Sequence, residues 1–468
     1  MKKIIIISFI CLSFNIQAQF LKAEPPTDFE LKLHNAKDIG VLIGLASEAR
    51  SKKSHEDLLA TMIKIVKLKK NIPVLQYQLA EAYALNDDKT NAFNTLILLQ
   101  KQGLYFDLES NKNFYNIKSF PVYNYIKENL DANGKHYGSG AESFNINKSF
   151  SGLLFENIAF DAKSQSFLMG SLRDGSIIKI ANDGNITRLL SAADGGVEGP
   201  WAVLDLAVDE KNDVLWVASS AISQFGKFTK ETVGFSAIFK YRLSDGKFIK
   251  SYKISEKKEP TLISSMHLTE QGDLYLLGVL NKVVLKLAKG EDQVSLVFTA
   301  TIYKQLRSIT ADDTGNILYI SDSEKGIIGI DLLNEKSFSF ASSEALNLTG
   351  ITDLIYDDNG LIFIQSGFSP ERIMRLELNN DKTSIKNVFP IESSHPNFNS
   401  PSYGVVVNDG LYYIANSQIA KTNAYGGLLK GQQWEDMVVL SSPKHYKEKS
   451  TLDYKEQIKS YKKETGTK

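Results

Sequence analysis

FENIAFDAKSQSFLMGSLRDGSIIKIANDGNITRLL, from Phe155 to Leu190, decides how this chain is to be read. Short apolar runs with alternating polar residues are broken at AKSQ, at Asp174-Gly175 and at Asp183-Gly184. Asp-Gly steps supply the positive backbone φ that tight hairpins require, so the segment predicts four antiparallel strands joined by turns. Such a sheet cannot bury its faces alone, which makes repetition the next question.

The unit does repeat. Related segments are LDLAVDEKNDVLWVASS from Leu204, SMHLTEQGDLYLLG from Ser265, SITADDTGNILYISDS from Ser308, DLIYDDNGLIFIQSG from Asp353 and GVVVNDGLYYIANS from Gly404. The residue closing each first strand falls at Asp161, Asp209, Thr269, Asp312, Asp357 and Asn408, at steps of 48, 60, 43, 45 and 51 residues. Four strands per period of that size mark a propeller blade, and six units predict a six-bladed β-propeller over residues 148–441. The longest step implies a long loop in the second blade, before Gly234. DMVVL, near the end, is expected to close the ring together with the SFSGLL segment around Ser151.

Upstream the texture is helical, over residues 28–132. Val41, Ile43, Leu45, Leu58, Leu59, Met62, Ile65 and Val66 recur at helical spacing, Pro73 opens VLQYQLAEAYAL, and KTNAFNTLILLQKQG runs to Gly103. Leu79, Ala80, Tyr83, Ala92, Leu96 and Leu99 sit at small and large packing positions in a pattern that resembles a tetratricopeptide repeat. Such a resemblance implies contacts with a protein partner. FDLESNKNFYNIKSFPVYNYIKENL reads as a further helical hairpin with Pro121 in its turn region, and the Gly-rich residues 133–147 read as a linker.

The chain opens MKKIIIISFICLSFNIQAQF, a basic start followed by an apolar run too short to span a bilayer. This predicts a signal peptide over 1–18 and an exported protein, periplasmic or extracellular, that does not span the membrane. Cys11, the single cysteine, would leave with it. Lys plus Arg and Asp plus Glu both number 54, which argues against a nucleic-acid partner. The tail, residues 442–468, is lysine-rich and reads as a solvated end.

The inner strand of each blade lines the axis, so chemistry is sought there. One ring by phase is Glu156, Leu204, Ser264, Arg307, Thr352 and Tyr403; the next is Asn157, Asp205, Ser265, Ser308, Asp353 and Gly404. Strict alternation sends one ring inward, and a bulge swaps them locally. Oxygens from Glu156, Asn157, Asp205 and Asp353 can hold a calcium-like cation. Arg307 can instead neutralise Glu156 or Asp353, or grip a ligand carboxylate. His267, on the third inner strand, is the better histidine for acid–base work. The chain has no GxSxG, HExxH, P-loop or GxGxxG motif.

FENIAFDAKSQSFLMGSLRDGSIIKI, with ILYISDS and GLYYIANSQ, resembles the senescence-marker-protein/gluconolactonase group of six-bladed propellers over most of residues 150–440. That resemblance implies a metal-dependent lactonase whose divalent cation is held by a Glu, an Asn before Gly and an Asp before Gly. Glu156 matches the first; Arg307 stands at the Asn position and Thr352 at the Asp position, with Asp353 one residue late. Two expectations follow. Either the protein binds a small ligand or peptide at the channel mouth through Asn157, Asp205, Ser265, Arg307, Thr352 and Tyr403, with the helical head contacting a partner; or it hydrolyses lactones or esters using Glu156, Asp353 and His267, with calcium as the possible cation on Glu156 and Asp353.

Overall fold

A computed structural model describes residues 26–255, 260–303 and 305–445. The expected signal segment and most of the basic tail lie outside these residues. Six four-stranded antiparallel sheets stand around one axis, and in five of them the strands follow chain order from the inside outwards. Blade 1 comprises Ala159–Asp161, Ser166–Gly170, Ile177–Ala181 and Ile186–Leu190. The inner strands of blades 2 to 6 are Ala202–Asp209, Ile263–Leu268, Leu306–Ala311, Ile351–Asp357 and Gly404–Val407. The long loop of blade 2 runs between strands Val214–Ser220 and Ser236–Arg242.

The phase-marking carboxylates of blades 1, 2 and 4 build the first turn of their blades. Asp161 accepts from the Lys163 and Ser164 N–H groups, Asp209 from Asn212, and Asp312 from Asn316 and Ile317. Carboxylates at these strand ends therefore act in turns rather than at the axis.

Ring closure differs from the expectation. The sixth sheet has Met437–Pro443 as its third strand and Ala141–Ile146 as its outermost one. DMVVL thus closes the ring, but SFSGLL does not: Lys148–Ser151 is a short helix. The closing strand lies within residues read as linker. AESFNI gave a weak signal because an outermost strand buries little; here only Ile146 is fully buried, while Phe144 tilts against Phe167 at 5.0 Å. Likewise Pro443 is the end of a strand, not part of the tail.

Among the described residues, six α-helices precede the propeller: α1 (Asp28–Asn35), α2 (Ile39–Lys52), α3 (His55–Leu68), α4 (Pro73–Leu85), α5 (Lys89–Lys101) and α6 (Pro121–Asn133). Lys53 adopts a left-handed conformation and breaks the periodic run between α2 and α3. Ala80, Ala92, Leu96 and Leu99 are fully buried, as their spacing required. Pro121 is not in a hairpin turn but at the first position of α6, where its missing N–H costs nothing. Before it, the chain is irregular apart from one short 3₁₀ turn, Lys112–Phe114.

The head is docked on blades 4 and 5 through polar contacts. Arg372, 4% exposed, donates to the Gln102 carbonyl at 2.9 Å and to Gln365 Oε1 at 2.7 Å. Asn347 donates to the Asn71 carbonyl at 2.9 Å, and Gln102 to the Ser343 carbonyl at 2.6 Å. Burial pulls the Arg372 guanidinium down to about 10. Phe368, from blade 5, packs against the core of the head.

Candidate functional site: the propeller channel

The inner strands carry a recurrent defect that shapes the axis. Pairing with the second strand slips between Val203 and Asp205, Ile263 and Ser265, Leu306 and Ile309, and Ile351 and Asp353. A bulge therefore falls in blades 2 to 5 at Leu204, Ser264, Arg307 and Thr352, the residues of one expected ring. Bulges bend a strand and suspend its alternation, so the neighbouring rings do not sort simply into inward and outward sets.

The second ring is a belt between blades. Asp205 accepts from Met266 N–H of blade 3 at 2.7 Å, and Ser265 from Ile309 N–H of blade 4 at 3.2 Å. Ser308 accepts from Leu354 N–H of blade 5 at 3.3 Å, and Asp353 from Gly404 N–H of blade 6 at 3.0 Å. Asn157 completes the pattern by donating to the Val203 carbonyl of blade 2 at 3.1 Å. Asn157 also clasps Gly170, whose N–H donates to it at 2.7 Å; a Cβ there would strike Val203 at 2.1 Å. The inner strands need these partners because the bulges interrupt their pairing within each blade.

Below the belt lies a cavity of about 380 Å³, lined by Asp205, Ser265, His267, Ser308, Thr310, Asp353 and Tyr403 among others. Burial pushes the Asp205 carboxyl up to about 7; the N–H groups of Met266 and Leu206 oppose that shift, and nearby Asp353 adds to it. Burial also raises Asp353. His267 is pulled down to about 4 by burial, and its Nδ1 lies 3.4 Å from the Thr310 hydroxyl. It is a neutral imidazole at neutral pH, able to accept or donate a hydrogen bond.

At the other end of the strands the residues diverge. Glu156 is hydrogen-bonded by the Ser417 hydroxyl, and burial pushes its carboxyl up to about 7. Thr352 is occupied with backbone, donating to the Ile364 carbonyl at 3.1 Å. Arg307 is exposed, and its guanidinium has no ion-pair or hydrogen-bond partner among the described residues. It pairs with neither Glu156 nor Asp353. Tyr403 links both ends: it lines the cavity and lies within electrostatic reach of Glu156, Asp353, Asp205 and Arg307. Burial, then those carboxylates, raise its phenol. Trp201, at the start of blade 2, is buried and hydrogen-bonds the Gly196 carbonyl, so it caps that blade.

These residues do not fit the cation implied by the family resemblance. Both Asp353 oxygens already accept hydrogen bonds, from Ser308 and Leu354 on one and Gly404 on the other, and a guanidinium stands at the Asn position. Among the described residues, the group of acidic and imidazole donors close enough to share an ion is elsewhere. His136, Glu392 and His395 have donor atoms within 4.8 Å of one another, where the chain passes from head to propeller. The sequence hid this group because His136 and Glu392 lie 256 positions apart.

No family model matches the chain, and no curated protein resembles it in sequence. Solved structures do resemble it in fold. A luciferin-regenerating enzyme is 10% identical with a TM-score of 0.43, covering 62% of this chain and 91% of its own. Virginiamycin B lyase from Staphylococcus aureus is 13% identical with a TM-score of 0.41, covering 66% and 99%. A structural genomics protein of unknown function from Bacteroides thetaiotaomicron is 13% identical with a TM-score of 0.42, covering 66% and 73%. The class is a six-bladed β-propeller with an N-terminal helical region, and these likenesses assign no activity to it.

Proposed function

We propose that this is an exported ligand-binding propeller, taking a small molecule or peptide by an anionic end at the channel mouth. One observation carries the reading: Arg307 presents an exposed guanidinium with no partner among the described residues. It stands on the bulge of the fourth inner strand and reaches solvent, and planar donors of this kind grip carboxylates bidentately. Tyr403 and Glu156, a carboxyl partly protonated at neutral pH, give the ligand further hydrogen-bonding partners. The helical head serves a protein partner in this reading.

The test is calorimetry of the full chain against sugar acids, small dicarboxylates and short peptides with free C-termini. Saturable binding that falls at least tenfold in Arg307→Ala is expected. Binding that is absent throughout the panel, or unchanged in the variant, overturns the reading.

The position of Glu156 favours a second reading. A carboxyl at about 7 is poised for general acid–base work at neutral pH, as lactone or ester hydrolysis would need. Turnover of lactones or aryl esters, lost in Glu156→Gln and indifferent to calcium, would establish it over simple binding.

A further inference from the structure

We propose that His136, Glu392 and His395 form a binding site for a first-row transition-metal cation, zinc-like rather than calcium-like, that clamps the head-to-propeller passage onto blade 5. Two imidazoles and one carboxylate are a donor set that suits such ions, whereas calcium prefers oxygen alone.

The site is built around a carboxylate. Glu392 is 0% exposed, and among the described residues no Lys or Arg pairs with it. Its Oε2 accepts from Gly140 N–H at 2.7 Å and from the Ser442 hydroxyl at 3.0 Å. That leaves Oε1 directed at His136 Nε2, 2.7 Å away. The backbone is moulded to this group: a Cβ at Gly138 would come within 2.4 Å of the carboxyl, and one at Gly140 within 2.7 Å. Tyr137 and Ser393 exchange backbone hydrogen bonds at 3.0 and 2.8 Å, fixing the two ligand-bearing segments side by side.

His395 faces His136 edge-on, with ring centroids 5.2 Å apart. Donors spread over 4.8 Å must draw in to roughly 3.3 Å for a tetrahedral ion with bonds of about 2.0–2.1 Å. His136 is half-exposed and His395 stands on a loop, so imidazole rotation supplies that movement while Glu392 stays fixed. The ion takes the place of the hydrogen bond between His136 Nε2 and Glu392 Oε1, and the proton of that bond passes to solvent. Binding through either nitrogen of His395 gives up the Asn397 N–H bond to Nδ1 at 3.1 Å: directly at Nδ1, or at Nε2 because the ring proton then sits on Nδ1. Three protein ligands leave one position for water.

The experiment uses the full chain without a histidine tag. Zinc is titrated against a chromophoric chelator, and cobalt is titrated with its visible absorption recorded. One equivalent of zinc with micromolar or tighter affinity is expected, with a strong tetrahedral cobalt spectrum and slower proteolysis within residues 133–141. Calcium should do none of this. His395→Ala and His136→Ala should each weaken zinc at least tenfold, and His34→Ala, remote from the site, should not. His395→Ala alters a partly exposed loop side chain and is the primary test; His136→Ala also removes the partner of the buried Glu392 Oε1, so its fold is checked by circular dichroism, and Glu392→Gln is avoided because that carboxylate is wholly buried. No zinc binding, or binding unchanged in His395→Ala, overturns the proposal. A weak octahedral cobalt spectrum overturns the zinc-like geometry.

Discussion

Asp353 at the propeller axis and Glu392 at the head–propeller seam are both buried carboxylates, and they are satisfied in different ways. Asp353 accepts from two backbone N–H groups and a serine hydroxyl, one of the N–H groups being on the next blade. Glu392 accepts one N–H and one hydroxyl, and turns its other oxygen to an imidazole that reaches solvent. The first carboxylate is consumed by the architecture. The second keeps a face open to exchange of proton for metal. Burial and charge therefore do not identify a site; the identity of the partners does.

The sharpest way to break this comparison is Asp353→Ala. It leaves the Gly404 and Leu354 N–H groups and the Ser308 hydroxyl without that acceptor, and an unsatisfied buried donor costs about 1–3 kcal/mol. A loss of roughly 3–4 kcal/mol is expected in denaturant unfolding of the full chain, partly offset by water entering the channel. A loss below about 1 kcal/mol would show that the belt is not holding the blades.

The same logic explains what was legible beforehand. Blade count, blade phase and the long loop of blade 2 were readable because they depend on local alternation and turn residues such as Asp174-Gly175. The closing strand was not, since Ala141–Ile146 buries one side chain deeply and has no turn linking it to its neighbour in the sheet. Both axial rings were nameable by residue, but their roles were not, because the bulges at Leu204, Ser264, Arg307 and Thr352 leave no mark in composition. Asn157, Asp205, Ser265 and Asp353, expected at a ligand or metal site, also join neighbouring blades, and the last three line the cavity as well. The His136–Glu392 pairing depends on docking of the head, which no local pattern encodes.

Two arginines extend the comparison to cations. Arg372 is enclosed and hydrogen-bonded to both head and propeller, whereas Arg307 is open and unpartnered among the described residues. Arg372→Met keeps the aliphatic bulk but abandons the carbonyls of Gln102 and Asn347 and the amide oxygen of Gln365. A loss of about 2–3 kcal/mol is expected, with hydrogen exchange accelerating first in α5 and the loop after it. Uniform acceleration across the propeller would mean that the head is not the element Arg372 secures.

Acidity marks the axis as well. The Asp205 and Glu156 carboxyls have folded values of about 7, above the usual carboxylate range near 4. A raised carboxyl binds its proton more tightly when folded, so its stabilising contribution is complete below about pH 4. That contribution is lost as pH rises through 7. Stability should therefore decline by several kcal/mol between pH 4 and 8 from these groups, since each tenfold change in proton affinity is worth about 1.4 kcal/mol. Asp205→Asn should flatten the decline while lowering stability at pH 5, because one of its two N–H partners loses an acceptor. An unchanged slope would place the titration outside the channel.

Arg307→Ala is the smallest perturbation to the fold and the most informative for function. An exposed side chain without hydrogen-bond or ion-pair partners among the described residues should cost no more than about 0.5 kcal/mol on removal. Its charge also lies within reach of Tyr403 and opposes the rise of that phenol, so the variant should shift Tyr403 further up. The useful measurement pairs the two quantities: unfolding free energy and the melting shift produced by a saturating carboxylate. Unchanged stability with a vanished ligand shift is the signature of a binding residue. A clear loss of stability would instead place Arg307 with Arg372, as a cation serving the fold, and would remove the main support for recognition at the mouth.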